Sequence, residues 1–365
     1  MKIVVIGAGV AGLSIGWRLR QSGAEVTVLE RAQLARGATW ASAGMIAAAA
    51  EIGSNDTPEG RLAHNSAALW PKFAQEIEAA SDIGIGFRQD GTLIIARSDA
   101  EAAELQRRAS TERRFLLANK ARGLEPLLGE DVAGALLDLT EAQVDNRALG
   151  PALAVAFQRA GGKLQVNEPV VRIEVENGRA VAARTPFHMY RADAFVLAAG
   201  AWSSRIEGLP PEAVPPIIPV KGEMLALAPR NAAPPKRMIW GNGIYMLTRH
   251  GQLLLGATVT REGFDTRTTK QSAESLLERA SAVIPGLTGW DVVEHWAGLR
   301  PGSLDDRPLI GPSALEGLFV ASGQYRNGIL FAPAIAELMR DIVLNGAAPE
   351  PTFDPRRFAK VEANA

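Results

Sequence analysis

Residues 2–31 read KIVVIGAGVAGLSIGWRLRQSGAEVTVLER. An apolar β-branched run, Ile3 to Ile6, leads into Gly7, Gly9 and Gly12 at GxGxxG spacing. Apolar residues then recur at helical intervals, and a second β-branched run ends at Glu30. This is the order of a dinucleotide-binding βαβ unit. Gly7 makes the tight turn, Gly9 lets the backbone approach a pyrophosphate, and Gly12 lets the helix pack on the strand. The helix start offers unpaired N–H groups and a positive dipole end to phosphates. Glu30 is placed to accept hydrogen bonds from a ribose diol and to repel a 2′-phosphate, although the adjacent Arg31 works against that repulsion. An ordinary glycine turn competes for the motif alone; the register of strand, helix, second strand and acidic terminus favours a nucleotide.

Composition narrows the partner. The chain has 365 residues, 47% of them hydrophobic, enough for a large core and two domains. Thirty-nine basic and forty acidic side chains leave a net charge of -1, which points away from nucleic acid and anionic membranes and toward a small molecule. There is no cysteine, which excludes disulfides, thiolate metal sites and a cysteine nucleophile. The four histidines, His64, His188, His250 and His295, have no metal-ligand spacing, so no metal is expected. The N-terminus reads as a strand rather than a signal peptide, and no apolar run reaches the roughly 18 to 20 residues of a membrane span. A cytoplasmic protein is expected.

Further along, ARGATWASAGMIAAAAE (35–51) is a small-residue run that lets backbone lie against a flat ligand, or else an alanine-rich helix start. A helix is expected from about Arg61 to Ala80, kinked or divided at Pro71. Asp90-Gly91 signals a hairpin, Asp99 to about Asn119 a charged helix, residues 150–162 a helix closed by Gly161-Gly162, and Asn177-Gly178 a turn between strands. FVLAAGAWS reads as a buried strand ending in small residues at Ala198-Ala199-Gly200, where a cofactor or another backbone passes closely. Prolines from Pro210 onward suggest a crossing into a second, strand-rich module. LFVASGQYRNGILFAPAIAELMRDIVLNG then returns to strand, glycine turn and helix, with the helix starting near Gly328. A strand–glycine–helix unit at each end of the chain implies one ligand domain built from discontinuous segments, with a second domain inserted.

GAGVAG with Glu30, ASAGM (41–45), EPVVRIE (168–174), VLAAGAWS (196–203), VKGEML (220–225), WAGLRPGS (296–303) and GQYRNGILFAP (323–333) together resemble the glycine oxidase branch, of the thiamine pathway, in the D-amino-acid oxidase family. The likeness covers nearly the whole chain. It implies an α/β fold with an α+β insert: a Rossmann-like FAD-binding domain from 1–80, 145–212 and 294–365, and a mostly antiparallel β-sheet substrate domain from 81–144 and 213–293. It also implies oxidation of glycine or another small amino acid, with hydride leaving the substrate Cα for the flavin, imine hydrolysis, and O2 as acceptor. FAD would be noncovalent: related sarcosine oxidases attach flavin through a cysteine, which this chain lacks.

By the same resemblance, Val10 and Ala11 lie in the phosphate turn, and Glu30 with Arg31 meets the adenosine ribose. Ala38, Thr39, Ala43, Gly44 and Met45 flank the pyrophosphate and flavin, Val170 holds adenine, Gly200 closes the strand beside the cofactor, and Gln324, Tyr325, Arg326, Asn327, Gly328, Ile329 and Leu330 lie at the flavin ring. Arg300 and Arg326 match substrate-binding arginines and Tyr245 a pocket tyrosine. Val259 and Tyr325 depart from the pattern of the best-known glycine oxidase and leave substrate size open.

Arg300 suits a carboxylate because its planar fork stays charged and bonds bidentately. The bland alternatives are an ion pair between Arg300 and Asp305 or Asp306, a half-buried sheet position for Tyr245, a structural role for Arg326, and core packing for Trp296 and Met45; for Glu51, a helix-surface position is favoured over a pocket carboxylate. A dehydrogenase with an acceptor other than O2, and a noncatalytic flavin-binding protein, remain rival readings. Homo-oligomer formation is left open.

Overall fold

The computed structural model describes residues 1–230 and 232–358. Lys2–Ile6 pairs in parallel with Glu25–Leu29 on one side and Ala194–Leu197 on the other. Lys163–Gln165 and Leu318–Ser322 extend this sheet in parallel, and Leu309–Pro312 adds an antiparallel edge, giving six strands. Three central strands of this sheet, Lys2–Ile6, Ala194–Leu197 and Leu318–Ser322, are mostly apolar because both faces are covered. Helices Val10–Gln21, Pro58–Ser81, Asn146–Arg159 and Gly328–Asn345 pack together on one face around Trp17, Trp70, Phe73, Phe157 and Phe331. The antiparallel trio Arg172–Glu176, Arg179–Arg184 and Met189–Arg191 belongs to the core on the other face.

A second sheet of eight strands runs in the order Asp291–Gly302, Ile218–Ala228, Gln252–Gly256, Ile244–Arg249, Met238–Gly241, Thr92–Ala96, Gly134–Asp138, Arg113–Leu117. All its pairs are antiparallel except Met238–Gly241 with Thr92–Ala96. Helix Lys270–Ser281, capped by the Thr269 hydroxyl, buries Leu276 and Ala280 in the core of this sheet. The boundary expected at residue 294 falls inside the strand Asp291–Gly302, which pairs along its length with Ile218–Ala228 and so belongs to the eight-stranded sheet.

Local expectations hold unevenly. Asn177 and Gly178, both at positive φ, join Arg172–Glu176 to Arg179–Arg184 as an antiparallel hairpin. Pro71 does not divide its helix, which runs unbroken from Pro58 to Ser81; burial of Trp70 and Phe73 offsets the one missing hydrogen bond. The charged helix stops at Arg107, and Arg113–Leu117 is a strand, because the Ser110 hydroxyl accepts from the N–H groups of Glu112 and Arg113 and turns the chain. Asp90-Gly91 makes no local hairpin. The Thr92–Ala96 strand it precedes pairs instead with Gly134–Asp138 and Met238–Gly241, both distant in sequence. The helix expected over 150–162 begins earlier, at Asn146, where the Asp145 side chain accepts from Arg147 N–H.

Candidate active site

One cleft is lined both by the turns that follow the parallel strands and by the face of the eight-stranded sheet that carries Met224 and Tyr245. Every site position named from sequence borders it except Gly12. Gly12 instead lies under the turn, where a Cβ would stand 1.9 Å from the Gly7 carbonyl oxygen. The nucleotide turn is fixed from far away. Val10 N–H donates to Thr39 Oγ1 at 2.9 Å, Asn146 Nδ2 donates to the carbonyls of Thr39 and Trp40 at 2.8 Å each, and Arg249 Nη1 donates to Asn146 Oδ1 at 2.5 Å. A buried arginine of the second sheet thus braces the first. Glu30 accepts from the N–H groups of Ala8 and Ala32, which orients its carboxylate at the end of the second strand. Arg31 stacks 3.6 Å above the Trp202 ring, and burial lowers the pKa of its guanidinium.

At the sheet end of the cleft, Arg300 lies over Gly222 and Tyr245 over Gly256. A Cβ at 222 would stand 2.2 Å from Arg300 Nη2, and one at 256 would stand 2.3 Å from the Tyr245 ring. The two glycines let both side chains lie flat on the sheet. Arg300 Nη1 donates to the carbonyls of Lys221 and Thr258, both at 3.2 Å, and no carboxylate lies within 4.0 Å of it among the described residues. Asp305 is taken by Arg357, and Asp306 faces Arg261. The ion-pair alternative for Arg300 is therefore not realised. Tyr245 is 8% exposed, and burial, helped by Glu51, pushes its phenol up against the pull of Arg300 and Arg326, so it is a neutral donor at ordinary pH. Val259 borders an adjoining cavity with Tyr245, Thr258, Arg300 and Arg326.

Glu51 is not on a helix surface. Its side chain is 7% exposed, faces the cleft, and meets Arg326 Nη2 at 3.1 Å through Oε2 and 3.3 Å through Oε1. Burial pushes this carboxyl above the usual range, while Arg326 and Arg300 draw it down. Arg326 also sits 5.8 Å from the centre of the Trp240 ring. Trp296 is core, as expected, with its indole N–H on the Ala41 carbonyl at 2.9 Å.

A profile of the DAO family, described as FAD dependent oxidoreductase, matches residues 2–342. The chain belongs to that family. Glycine oxidase of Geobacillus kaustophilus is 33% identical over 366 residues, covering 98% of this chain and 96% of the relative. The crystal structure of glycine oxidase from Geobacillus kaustophilus matches with a TM-score of 0.88 at 32% identity, covering 98% of this chain and 97% of that one. The bifunctional protein ThiO/ThiG of Synechocystis sp. is 33% identical over 98% of this chain. This chain spans 54% of that protein, about half the length of the first curated relatives it matches. L-proline dehydrogenase from P. horikoshii has a TM-score of 0.86 at 25% identity, with 98% of both chains covered.

The residues of this FAD dependent oxidoreductase fit its cofactor. Space for a close backbone approach exists at Gly9, where a Cβ would meet only Thr39 Oγ1, at 3.4 Å. Gln324 is 5% exposed, borders the cleft, and has an Nε2 with no hydrogen-bond partner among the described residues; a buried donor of that kind calls for an acceptor. The helix Gly328–Asn345 starts at the same place, with no side chain capping it.

Four participants escaped the sequence reading. Gly222 had a signal, since it faces Gly298 across the strand pair and two opposed glycines in a long sheet mark close approach. Thr258 acts through a carbonyl, and Asn146 and Arg249 act over about a hundred residues, which no local pattern reports.

Proposed function

We propose that this chain is an FAD-dependent oxidase of glycine or a similarly small amino acid, yielding an imine that water hydrolyses, with O2 reduced to H2O2. The observation that carries the reading is Arg300, a guanidinium held by two carbonyls, without a carboxylate partner, at the wall of the cleft. Arg300 binds the substrate carboxylate through its unoccupied N–H groups, and Tyr245 donates its neutral hydroxyl to the same end of the substrate. Lys221 and Thr258 hold the guanidinium so that the Cα–H is presented in one orientation. Bound FAD supplies the two-electron acceptor. Gly7, Gly9, Val10, Ala11, Glu30 and Arg31 hold its adenosine and pyrophosphate portion, with Val170 against adenine. Ala38, Thr39, Ala43 to Met45, Gly200 and Gln324 to Leu330 hold the remainder, and the helix start at Gly328 supplies positive potential.

Sheet membership supports a cofactor part from 1–80, 145–212 and 303–365, and a substrate part from 81–144 and 213–302. The likeness to the ThiO/ThiG protein supports a place in supplying an imine for thiazole formation, and a cytoplasmic location belongs to the same proposal. The likeness to a proline dehydrogenase favours one second reading, an amine dehydrogenase with another electron acceptor. Anaerobic titration of the purified protein with glycine, sarcosine, D-alanine and D-proline, followed by flavin absorbance, tests the proposal. Bleaching by glycine or sarcosine is expected, and a flavin that stays oxidised with all four overturns it. Peroxide formed in air, mole for mole with substrate, is the oxidase outcome; dye reduction without peroxide is the dehydrogenase outcome.

A further inference from the structure

The substrate end of the cleft holds two guanidinium groups and one carboxylate. Arg300 and Arg326 border both the cleft and the cavity adjoining it, together with Tyr245. Arg326 is engaged through its Nη2 by both oxygens of Glu51, at 3.1 and 3.3 Å, whereas Arg300 has only carbonyl partners. Glu51 is held firmly. It ends the short helix Ala48–Glu51, whose Ala50 N–H donates to the buried Glu141 Oε1 at 2.8 Å. A guanidinium already paired to a buried carboxylate gains little from a second anion, because one charge-assisted contact must be exchanged for another.

We propose that Glu51 sets the substrate class: by occupying Arg326 it leaves Arg300 as the single carboxylate site and excludes amino acids that carry two carboxylates. The inference rests on the reading of Arg300 as the carboxylate site. Removing the charge of Glu51 releases Arg326 as a second anion site inside the same cavity. Removing Arg326 instead takes away the cation that draws the buried Glu51 carboxyl down, so Glu51 takes up a proton and no second anion site is created. The first change strengthens binding of a dianion, the second does not, and both act weakly on a monoanion.

The test uses the FAD-loaded protein, titrated with acetate and with malonate and read by perturbation of the flavin spectrum. Wild type binds acetate in preference to malonate. Glu51→Gln shifts the ratio of dissociation constants toward malonate by about tenfold or more, whereas Arg326→Met leaves it within about threefold of wild type. The double variant Glu51→Gln/Arg326→Met loses the gain. Oxidation of D-aspartate should appear in Glu51→Gln alone. A ratio in Glu51→Gln within about threefold of wild type, in protein that keeps its flavin, overturns the proposal. Should that variant lose flavin, an unchanged ratio in Glu51→Ala overturns it equally. Acetate binding that survives Arg300→Ala undiminished would strike the underlying reading of Arg300 and not the role of Glu51.

Discussion

Arg300 occupies the space that a side chain at residue 222 would fill: a Cβ there would stand 2.2 Å from its Nη2 and 2.4 Å from its Nη1. The obstacle is the end of a flexible side chain, so Gly222→Ala moves the guanidinium rather than the backbone. Thermal stability is expected to change by no more than about 1 kcal/mol. KM for the amino-acid substrate should rise about tenfold or more, with flavin content preserved. Steady-state kinetics and calorimetry on the same preparation check both halves.

Arg300→Ala removes the side chain proposed to bind the substrate carboxylate. A fall in kcat/KM of about a hundredfold, near 3 kcal/mol, is expected, with the flavin-to-protein absorbance ratio intact. Loss of flavin in this variant would mark Arg300 as a structural residue.

Gly12 and Gly9 should respond differently to alanine. At residue 12 the new Cβ meets a backbone oxygen at 1.9 Å, which cannot rotate away, so Gly12→Ala is expected to yield little soluble protein and no bound flavin. At residue 9 it meets only Thr39 Oγ1, at 3.4 Å. Gly9→Ala should therefore fold with wild-type circular dichroism yet bind FAD about tenfold more weakly, measured by adding FAD back to the stripped protein.

Glu141 gives the protein a pH dependence. Burial raises its carboxyl to about 7 from an ordinary value of 4.5. The folded protein therefore keeps a proton that the unfolded chain releases, so this group's contribution is whole below about pH 4.5 and is lost as pH rises to about 7. The loss amounts to about 3 kcal/mol. Glu141→Gln, whose amide oxygen still accepts from Ala50 N–H, should flatten the denaturant midpoint between pH 5 and pH 7.5 (about the span over which the acid titrates). Equal slopes for variant and wild type would refute the assignment.

The sequence made some parts of this molecule legible and hid others, for physical reasons. The first βαβ unit could be read because its information is local: one run of thirty residues carries both strands, the turn and the acidic terminus. The Asn177-Gly178 hairpin was local in the same way. The strand Thr92–Ala96 could not be placed, because its partners lie some forty and a hundred and forty residues away. At the site, residue type identified Arg300 and Tyr245 only with the help of a family pattern. Their surroundings, the two glycines beneath them and the Lys221 and Thr258 carbonyls that hold Arg300, are set by strand register. Glu51 was misread for a similar reason. A carboxylate after four alanines looks solvated until Arg326, brought from the far end of the chain, is placed against it.

The sheet that cradles the cofactor draws its strands from residues 2–29, 163–197 and 309–322, and the helix start at Gly328 follows last. On the ribosome, the first strand emerges long before its neighbour Ala194–Leu197, and Leu318–Ser322 is later still. The nascent chain must carry unpaired apolar edges until Leu318–Ser322 has emerged, and the cleft is complete only once the turn from Gln324 to Gly328 follows.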